Sequence, residues 1–366
     1  MTTSNLKFPH RLDRLRQRLD EEGLDAIFIS NAENRRYLSG FIGTAGYLFI
    51  TTNDAVLLTD FRYTEQADMQ APGFRVDRIS GKLDWLPGLA REFNVKRIGF
   101  EADDVTVSFF DRIKNAFSEA KDSVSDAQMK PTTGITLGLR AVKDETEIKL
   151  LTRAIEIGDR AFEEVAATLE PGVTENEVAY RVEQAVRRLG AESISFDTIV
   201  ASGPNAARPH HRAADTPLAE GETIVIDMGA RYQGYCSDLT RTVVLGRADD
   251  KIKAVYDIVL GAQLAAIEMA EAGMTGSELD GIARTFIAEA GYGDSFGHSL
   301  GHGVGLEVHE NPGVGPNSQG KLENGMVLTV EPGIYLSGWG GVRIEDVVVL
   351  ENGRARVISN AQKMNF

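Results

Sequence analysis

The sequence has a single cysteine, fewer basic than acidic residues and no long apolar run. Because Cys236 is alone, the chain can form neither an internal disulfide nor a structural zinc site made of thiolates, and we interpret it as a small core residue. No stretch approaches the ~18 consecutive apolar residues of a membrane helix. The first residues also lack the apolar run of a signal peptide, so we expect a cytoplasmic protein. The chain has 39 Lys and Arg against 54 Asp and Glu, and the net charge of -15 argues against nucleic acid and membranes as partners.

The length of 366 residues predicts about two domains. Residues 1–127 alternate amphipathic helices with short apolar strands, including a hairpin of residues 47–50 with 55–58, which indicates an α/β domain with a mixed sheet. Residues 121–136 show no strong periodicity, and we interpret residues 128–140 as a linker. From residue 141 to 366 the pattern runs from helices to strands and then repeats, which predicts a duplicated α+β domain.

One apolar pattern that ends in an acid occurs twice in the second domain. The first copy comprises Leu218, Gly221, Ile224, Ile226, Asp227 and Gly229, and the second comprises Leu322, Gly325, Leu328, Val330, Glu331 and Gly333. The offset is constant, since 331 − 227 = 104 and 322 − 218 = 104. A G-x-T-x-x-E pattern also recurs, at 172–177 and 273–278, and its Thr–Glu spacing predicts a capping box at the start of a helix. Together these matches favour an internal duplication over chance.

A second acid follows each copy, which gives four carboxylates at the ends of apolar strands. Near a core an unpaired charge is costly, so each acid must be protonated, paired with a cation or bound to metal. Taken singly, each acid is explained by an ion pair within its own segment. The candidate pairs are Asp227 and Asp238 with Arg231 and Arg241, and Glu345 with Arg343.

Taken together, the four acids favour a metal site. Four carboxylates with one imidazole carry about −4, which two divalent cations neutralise. Oxygen ligands with one histidine suit manganese, cobalt or zinc, and they do not suit copper or an iron–sulfur cluster. The set therefore predicts a site for two divalent ions.

Histidines are concentrated near these acids, and the concentration indicates proton chemistry or metal ligation. The chain has six, and the five near the acids are His210, His211, His298, His302 and His309. Residues 297–310 contain four glycines, which disfavour a helix and let backbone and imidazoles approach a bound group closely. The same stretch has a G-x-S-x-G match at Ser299. We exclude a serine hydrolase, because no helix follows and no histidine comes after Asp346, the only later aspartate.

The ordered set of acids and one histidine resembles the metal ligands of the pita-bread metallopeptidases (M24), which include methionine aminopeptidase, aminopeptidase P and prolidase. The five matching residues are Asp227, Asp238, His302, Glu331 and Glu345. Segments 199–210, 301–310, 331–335 and 341–346 are similar to motifs of the proline-specific branch. Residues 37–41 and 57–63 look like the N-terminal domain of that branch, which methionine aminopeptidases lack. The resemblance covers the whole chain and implies a creatinase/prolidase-like α/β domain followed by a duplicated pita-bread catalytic domain.

The resemblance implies a dinuclear-metal peptidase that cleaves between an N-terminal residue and a following proline. The cations, expected to be Mn²⁺ with Co²⁺ or Zn²⁺ as alternatives, activate a water. Glu331 then carries its proton to the leaving nitrogen, His210 and His309 stabilise the oxyanion, and His298 binds around the proline. Arg343 either contacts substrate or only balances the acids. His211 is expected to be a neighbour without a role of its own.

The motifs leave two substrate ranges open. We favour an Xaa-Pro aminopeptidase, whose site must leave room for residues beyond the proline. The alternative is an Xaa-Pro dipeptidase (prolidase), whose site is closed beyond the proline and binds the free carboxylate there. A silent binding module is disfavoured because every ligand position is filled, and a metal-dependent lyase or amidinohydrolase of a small molecule is a further rival. The branch also implies a homodimer, in which the N-terminal domain of a neighbouring subunit would supply closing residues.

Overall fold

The computed structural model describes residues 8–120 and 127–366. The chain divides into two units, Met1–Arg140 and Ala141–Phe366. Among the described residues, no helix is both long and apolar enough to span a bilayer.

The first unit is built on one six-stranded sheet in the order β4-β3-β2-β1-β5-β6. Its strands are β1 (Ala26–Ile29), β2 (Tyr47–Thr51), β3 (Ala55–Thr59), β4 (Arg75–Arg78), β5 (Arg97–Glu101) and β6 (Gln128–Thr132). Its helices are α1 (Phe8–Glu21), α2 (Ala32–Ser39), α3 (Thr64–Gln70), α4 (Trp85–Glu92), α5 (Val107–Glu119) and α6 (Ile135–Ala141). The last residue of α6, Ala141, is the first residue of the second unit. Strand β2 runs antiparallel to β1 and β3, whereas the other pairs are parallel. The mixed sheet and the predicted hairpin, β2–β3, are therefore present.

The segment interpreted as a linker, residues 128–140, is structured instead. It contains β6, which pairs in parallel with β5 over five residues, and most of α6. Periodicity failed here because β6 is an edge strand whose residues are exposed or half-buried, and it includes Pro131, which an edge strand tolerates. Residues 121–126, where the loss of periodicity begins, lie outside the described residues.

The second unit repeats a sequence of two helices followed by strands. Its helices are α7 (Glu145–Ala166), α8 (Glu175–Arg188), α9 (Asp250–Met269) and α10 (Gly276–Glu289), with 3-10 turns at Gly203–Ala207 and Gly293–Ser295. The strands of the first half are β7 (Ser193–Ile194), β8 (Ile199–Ser202), β9 (Thr223–Met228), β10 (Ala230–Tyr232), β11 (Tyr235–Cys236) and β12 (Leu239–Val244). Those of the second half are β13 (Gly301–Gly303), β14 (Glu310–Val314), β15 (Val327–Val330), β16 (Gly333–Leu336), β17 (Gly340–Arg343), β18 (Asp346–Glu351) and β19 (Arg354–Val357).

Each half has its own apolar core, as a duplication requires. One cluster joins α7 and α8 to β9 through residues such as Val178 and Ile226, and the other joins α9 and α10 to β15 through residues such as Leu279 and Leu328. These β-branched and aliphatic strands are buried on both faces, so they appear in the sequence as continuous apolar runs. Cys236 is buried in β11 as expected.

The two repeated helix starts differ in one detail. Thr174 and Thr275 both accept a hydrogen bond from the backbone N–H three residues later and so begin α8 and α10. At α10 the box is reciprocal, because Glu278 accepts from the backbone N–H of Thr275 at 2.7 Å. At α8 the Glu177 carboxylate instead pairs with Arg181, so only half of the predicted motif forms there.

Strand pairing explains how the acids meet. Strands β9 and β12 are antiparallel, as are β15 and β18. Asp227 lies near the end of β9 and Asp238 directly precedes β12; likewise Glu331 directly follows β15 and Glu345 directly precedes β18. Because an antiparallel pair sets the end of one strand beside the start of the other, each half delivers two carboxylates to one place.

Candidate metal centre and active site

Acids from both halves meet around one histidine. Ligand atoms of Asp238, His302 and Glu345 all lie within 4.8 Å of one another. The Nε2 atom of His302 lies 3.2 Å from Glu331 Oε1 and 3.6 Å from Asp238 Oδ2. Asp238 and Glu345 are 5% and 1% exposed, so these charges are largely removed from water.

The donor atoms fit divalent cations. Asp227 Oδ1 and Glu345 Oε1 are buried oxygens that find no hydrogen-bond partner among residues 8–120 and 127–366, which is costly unless another group, such as a cation, satisfies them. The Nδ1 atom of His302 lies 3.1 Å from the carbonyl oxygen of Gly303. If Nδ1–H donates there, the Nε2 lone pair is directed at the acids, which is the usual arrangement of a metal-binding histidine. Carboxylate oxygens with one imidazole are a hard donor set that suits manganese, cobalt or zinc.

The crowding also changes the protonation of the acids. Burial raises the pKa of Asp238 well above its ordinary value, and the charges of Glu345 and Asp227 raise it further. Burial raises the pKa of Glu345 in the same way, with Glu331 and Asp227 adding to the effect. Each raised pKa expresses a cost of charging the group, and a bound cation would offset that cost.

Glu331 and His302 shift each other's pKa toward the charged forms, unlike the mutual effect of the acids. Burial raises the pKa of Glu331, but the hydrogen bond and positive charge of His302 outweigh it, so the pKa of Glu331 is lowered. Burial lowers the pKa of His302, and the contact with Glu331 more than reverses this, so the pKa of His302 is raised. Each group therefore favours the charged form of the other, and a cation bound at Nε2 would take the place of the imidazolium proton.

The arginines cross between the halves rather than pairing within their own segments. Arg241, a candidate partner of the first-half acids, binds Asp346 at 2.7 Å, and Arg343, a candidate partner of Glu345, binds Asp227 at 2.6 Å. The sequence assignment for these two arginines was wrong because the Thr242 hydroxyl of β12 hydrogen-bonds the backbone of Arg343 in β17, which sets strands of opposite halves side by side.

Glycines bring the backbone of β13 close to its neighbours. A side chain at Gly301 would place its Cβ 2.1 Å from the carbonyl oxygen of Thr329, and one at Gly303 would lie 2.1 Å from that of Asn311. His302 sits between them in an extended segment, so the prediction that this stretch is not helical is confirmed. Close packing on both sides fixes the direction in which the His302 ring leaves the strand.

A hydrogen-bonded chain links Arg343 to His298 through Tyr335, a residue to which the sequence analysis assigned no role. Arg343 donates to the Tyr335 hydroxyl at 3.0 Å, and that hydroxyl lies 2.9 Å from His298 Nε2. Burial raises the pKa of Tyr335 to about 12, so its O–H is available to donate. Burial lowers the pKa of His298; the neutral ring accepts at Nε2 and donates from Nδ1 to the carbonyl oxygen of Ser299 at 2.8 Å. The chain arises from the pairing of β16 with β17, which local spacing does not reveal.

The remaining histidines divide into two kinds. His210 and His309 are exposed and line the cavity described below, and the rings of His302 and His309 lie 4.2 Å apart. Although His309 is exposed as a residue, the cavity wall partly desolvates its imidazole; this desolvation, followed by the charge of His302, lowers the pKa of His309. His211 is buried and bonds Glu175 instead of lining the cavity.

One cavity of about 580 Å³ collects every residue predicted to bind metal, to act in catalysis or to bind substrate. Its lining includes Asp227, Asp238, His210, His298, His302, His309, Glu331, Arg343 and Glu345. Apolar residues such as Phe196, Ile199 and Val308 complete the wall. Acids, imidazoles and apolar surface together can hold cations and position a peptide bond beside them.

Comparison with known proteins places the chain in a family. Residues 149–352 match metallopeptidase family M24, and residues 11–142 match the Creatinase/Prolidase N-terminal domain. The protein therefore belongs to the M24 metallopeptidases, in the proline-specific branch, and it is a hydrolase of that type.

Particular relatives agree over nearly the full length. The structure of an Xaa-Pro dipeptidase from Bacillus anthracis is 43% identical, with a TM-score of 0.93 over 98% of this chain and 99% of that one. An X-Pro aminopeptidase from Thermotoga maritima is 42% identical, with a TM-score of 0.87 over 97% of this chain and 99% of that one. An Xaa-Pro dipeptidase of Pyrococcus horikoshii is 39% identical over 94% of this chain and 96% of its own.

Proposed function

We propose that the protein is an Xaa-Pro aminopeptidase that removes the first residue of peptides whose second residue is proline. One observation supports this over a dipeptidase. Among the described residues that line the cavity, Arg343 is the only permanent cation, and its guanidinium is already engaged by Asp227 and Tyr335.

A dipeptide would bring a free carboxylate into this cavity. Without a cation of its own, that carboxylate would be enclosed by the cavity wall, where a desolvated and unpaired charge costs several kcal/mol. A longer peptide has a neutral amide at the same position and avoids this cost. The lining therefore favours substrates that continue beyond the proline.

Asp227, Asp238, His302, Glu331 and Glu345 would hold two divalent ions, with Mn²⁺ the first candidate. Bound there, the ions would lower the pKa of a water and polarise the scissile carbonyl. The orphaned oxygens of Asp227 and Glu345 support this ligand assignment.

The chain's own side chains would then move protons and orient the peptide. Glu331, whose carboxylate contacts His302 and accepts from Thr329 at 3.3 Å, would take the proton of the attacking water and pass it to the leaving nitrogen. His210 and His309 would donate to the developing oxyanion. His298, held by Tyr335, would pack beside the proline.

The alternative is an Xaa-Pro dipeptidase, and the names of two of the relatives favour it. A cationic side chain from a neighbouring subunit of the expected homodimer would then have to pair with the free carboxylate of the dipeptide. The homodimer and the cytoplasmic location stay predictions.

The deciding measurement compares Ala-Pro-Ala with Ala-Pro on the manganese-loaded protein, with Ala-Ala-Ala as the control for proline specificity. We expect kcat/KM for the tripeptide to exceed that for the dipeptide by at least about tenfold, which corresponds to about 1.4 kcal/mol. A preference for Ala-Pro would establish the dipeptidase, and cleavage of Ala-Ala-Ala at a similar rate would refute both proposals.

A further inference from the structure

One buried carboxylate outside the cavity collects five hydrogen bonds. Glu175 is the first residue of α8, and it is 0% exposed. One oxygen accepts from Ser202 N at 2.8 Å, from Ser202 Oγ at 2.8 Å and from Asn205 Nδ2 at 2.9 Å. The other contacts His211 Nε2 at 2.8 Å and accepts from Ala214 N at 3.1 Å. All of these partners lie within residues 202–214.

That segment carries His210 into the cavity. After Ser202, the last residue of β8, it continues with the 3-10 turn Gly203–Ala207, and residues 208–216 contain neither helix nor strand. No sheet ladder therefore holds this part of the backbone. Besides Glu175, it is fixed by α8, whose backbone N–H groups at Glu175 and Asn176 donate to the carbonyl oxygens of Thr216 and Ala214.

Both neighbours of His210 are tied to charged side chains. On one side, Arg343 Nη1 donates to the carbonyl oxygen of Pro209 at 3.4 Å. On the other, the His211 ring bonds the Glu175 carboxylate. His210 itself is exposed and lines the cavity. We therefore expect the position of its imidazole to depend on the hydrogen bonds that hold Pro209 and His211 on either side.

Only a carboxylate satisfies this arrangement. Two backbone N–H groups, a hydroxyl, an amide N–H and an imidazole N–H can all donate to an ionised acid, which accepts at both oxygens. Burial alone would raise the pKa of Glu175, but the hydrogen bonds from Asn205, His211 and Ser202 outweigh it, and the pKa of Glu175 is lowered. A glutamine of the same shape would turn an NH₂ group toward one set of donors and leave those donors unpaired.

We propose that Glu175, acting through His211 and the 202–214 segment, is a positioning residue that sets His210 in place for catalysis. This inference rests on the proposed function, in which His210 donates to the oxyanion. A displacement of about 1 Å of a catalytic group can cost on the order of 100-fold in rate, so the loss of this anchor acts on kcat more than on KM.

The test is a double-mutant cycle on the full-length, manganese-loaded enzyme with the better of the two Ala-Pro substrates. The variants are Glu175→Gln, His210→Ala and the combination. Glu177→Gln is the matched control, since Glu177 lies on the same turn of α8 but is exposed and contacts Arg181. We expect His210→Ala to lower kcat by about 100-fold or more. Glu175→Gln is expected to lower kcat by about 10-fold to 100-fold, and the control to change it less than about twofold.

The decisive result is the cost of Glu175→Gln once His210 is absent. If Glu175 acts through His210, the second loss falls below about threefold, because the two residues work as one unit. An equal loss in both backgrounds would overturn the positioning role and leave the proposed function standing. A negligible effect of His210→Ala would overturn the positioning role and the oxyanion role together. Should Glu175→Gln fail to fold, His211→Gln takes its place in the cycle with the same expected outcomes.

Discussion

Glutamine in place of Glu310 should destabilise the second unit by breaking a buried ion pair. Lys143 Nζ lies 2.9 Å from Glu310 Oε1, and the two side chains are 1% and 2% exposed. At that distance the attraction is about 6 kcal/mol for an effective dielectric constant of about 20. Desolvation of both ions opposes it, but removing one partner leaves the other charge buried and typically costs about 3–5 kcal/mol.

The same substitution should slow catalysis. Glu310 directly follows His309, and its second oxygen faces the backbone N–H of Glu307 at 3.5 Å. The Cβ of a side chain at Gly305 would lie 2.0 Å from Glu310 Oε1, so the carboxylate packs directly against the loop that presents His309. We expect Glu310→Gln to lower the melting temperature by roughly 10 °C and to lower kcat as well.

Thermal melting and urea unfolding of four proteins check this prediction: wild type, Glu310→Gln, Lys143→Met and the double variant. The double variant should recover most of the lost stability, because no unpaired charge stays buried. The exposed pair Arg153–Glu156 on α7 is the matched control, and its removal should cost less than about 0.5 kcal/mol. A loss below about 1 kcal/mol in Glu310→Gln, or a double variant no better than either single, would refute the reasoning.

Two further predictions concern the acids. Asp238→Ala and Glu345→Ala should each release bound manganese, measured by elemental analysis, and lower activity by at least about 100-fold, since even groups that only support ligands cost 10-fold to 100-fold; near-full activity in both would contradict the two-metal site. Burial raises the pKa of Asp159 from 3.8 to about 6, so the stability associated with its protonated form is present below pH 4 and is lost as pH rises through about 6. The free energy of unfolding should therefore fall by roughly 1.4 kcal/mol more between pH 5 and pH 8 in wild type than in Asp159→Asn, as measured by urea titration at each pH; equal slopes would contradict it.

The strands that carry the acids of the candidate site could be predicted from the sequence because their signals are local and repeated. The buried strands β9 and β15 are continuous apolar runs that each end at an acid, and the constant offset of 104 residues marks them as equivalent. The starts of helices could be predicted in the same way, because a threonine or aspartate cap and the residue it bonds lie only three positions apart. Strand β6 could not be predicted, because an edge strand without a buried face has no periodic signal.

The supporting contacts could not be predicted, because folding creates them over long separations. Tyr335 reaches His298 across 37 residues, and Glu175 reaches His211 across 36. An acid at the start of a helix is explained by its favourable interaction with the helix dipole. From the sequence alone, Glu175 is therefore indistinguishable from other acids in the first turn of a helix. The ion-pair partners predicted for Arg241 and Arg343 were wrong for the same reason, since residues that are close along the chain need not lie on neighbouring strands.

Neither half of the second unit can hold the proposed cations alone. Of the proposed ligands, Asp227 and Asp238 come from the first half and the other three from the second, while Arg343 and Arg241 each bind an acid of the opposite half. Unfolding of one half would separate these partners and leave charged groups of the other half uncompensated. We therefore expect half-folded intermediates to be disfavoured and the duplicated halves to unfold as one cooperative unit, so that retention of metal would report that both have folded.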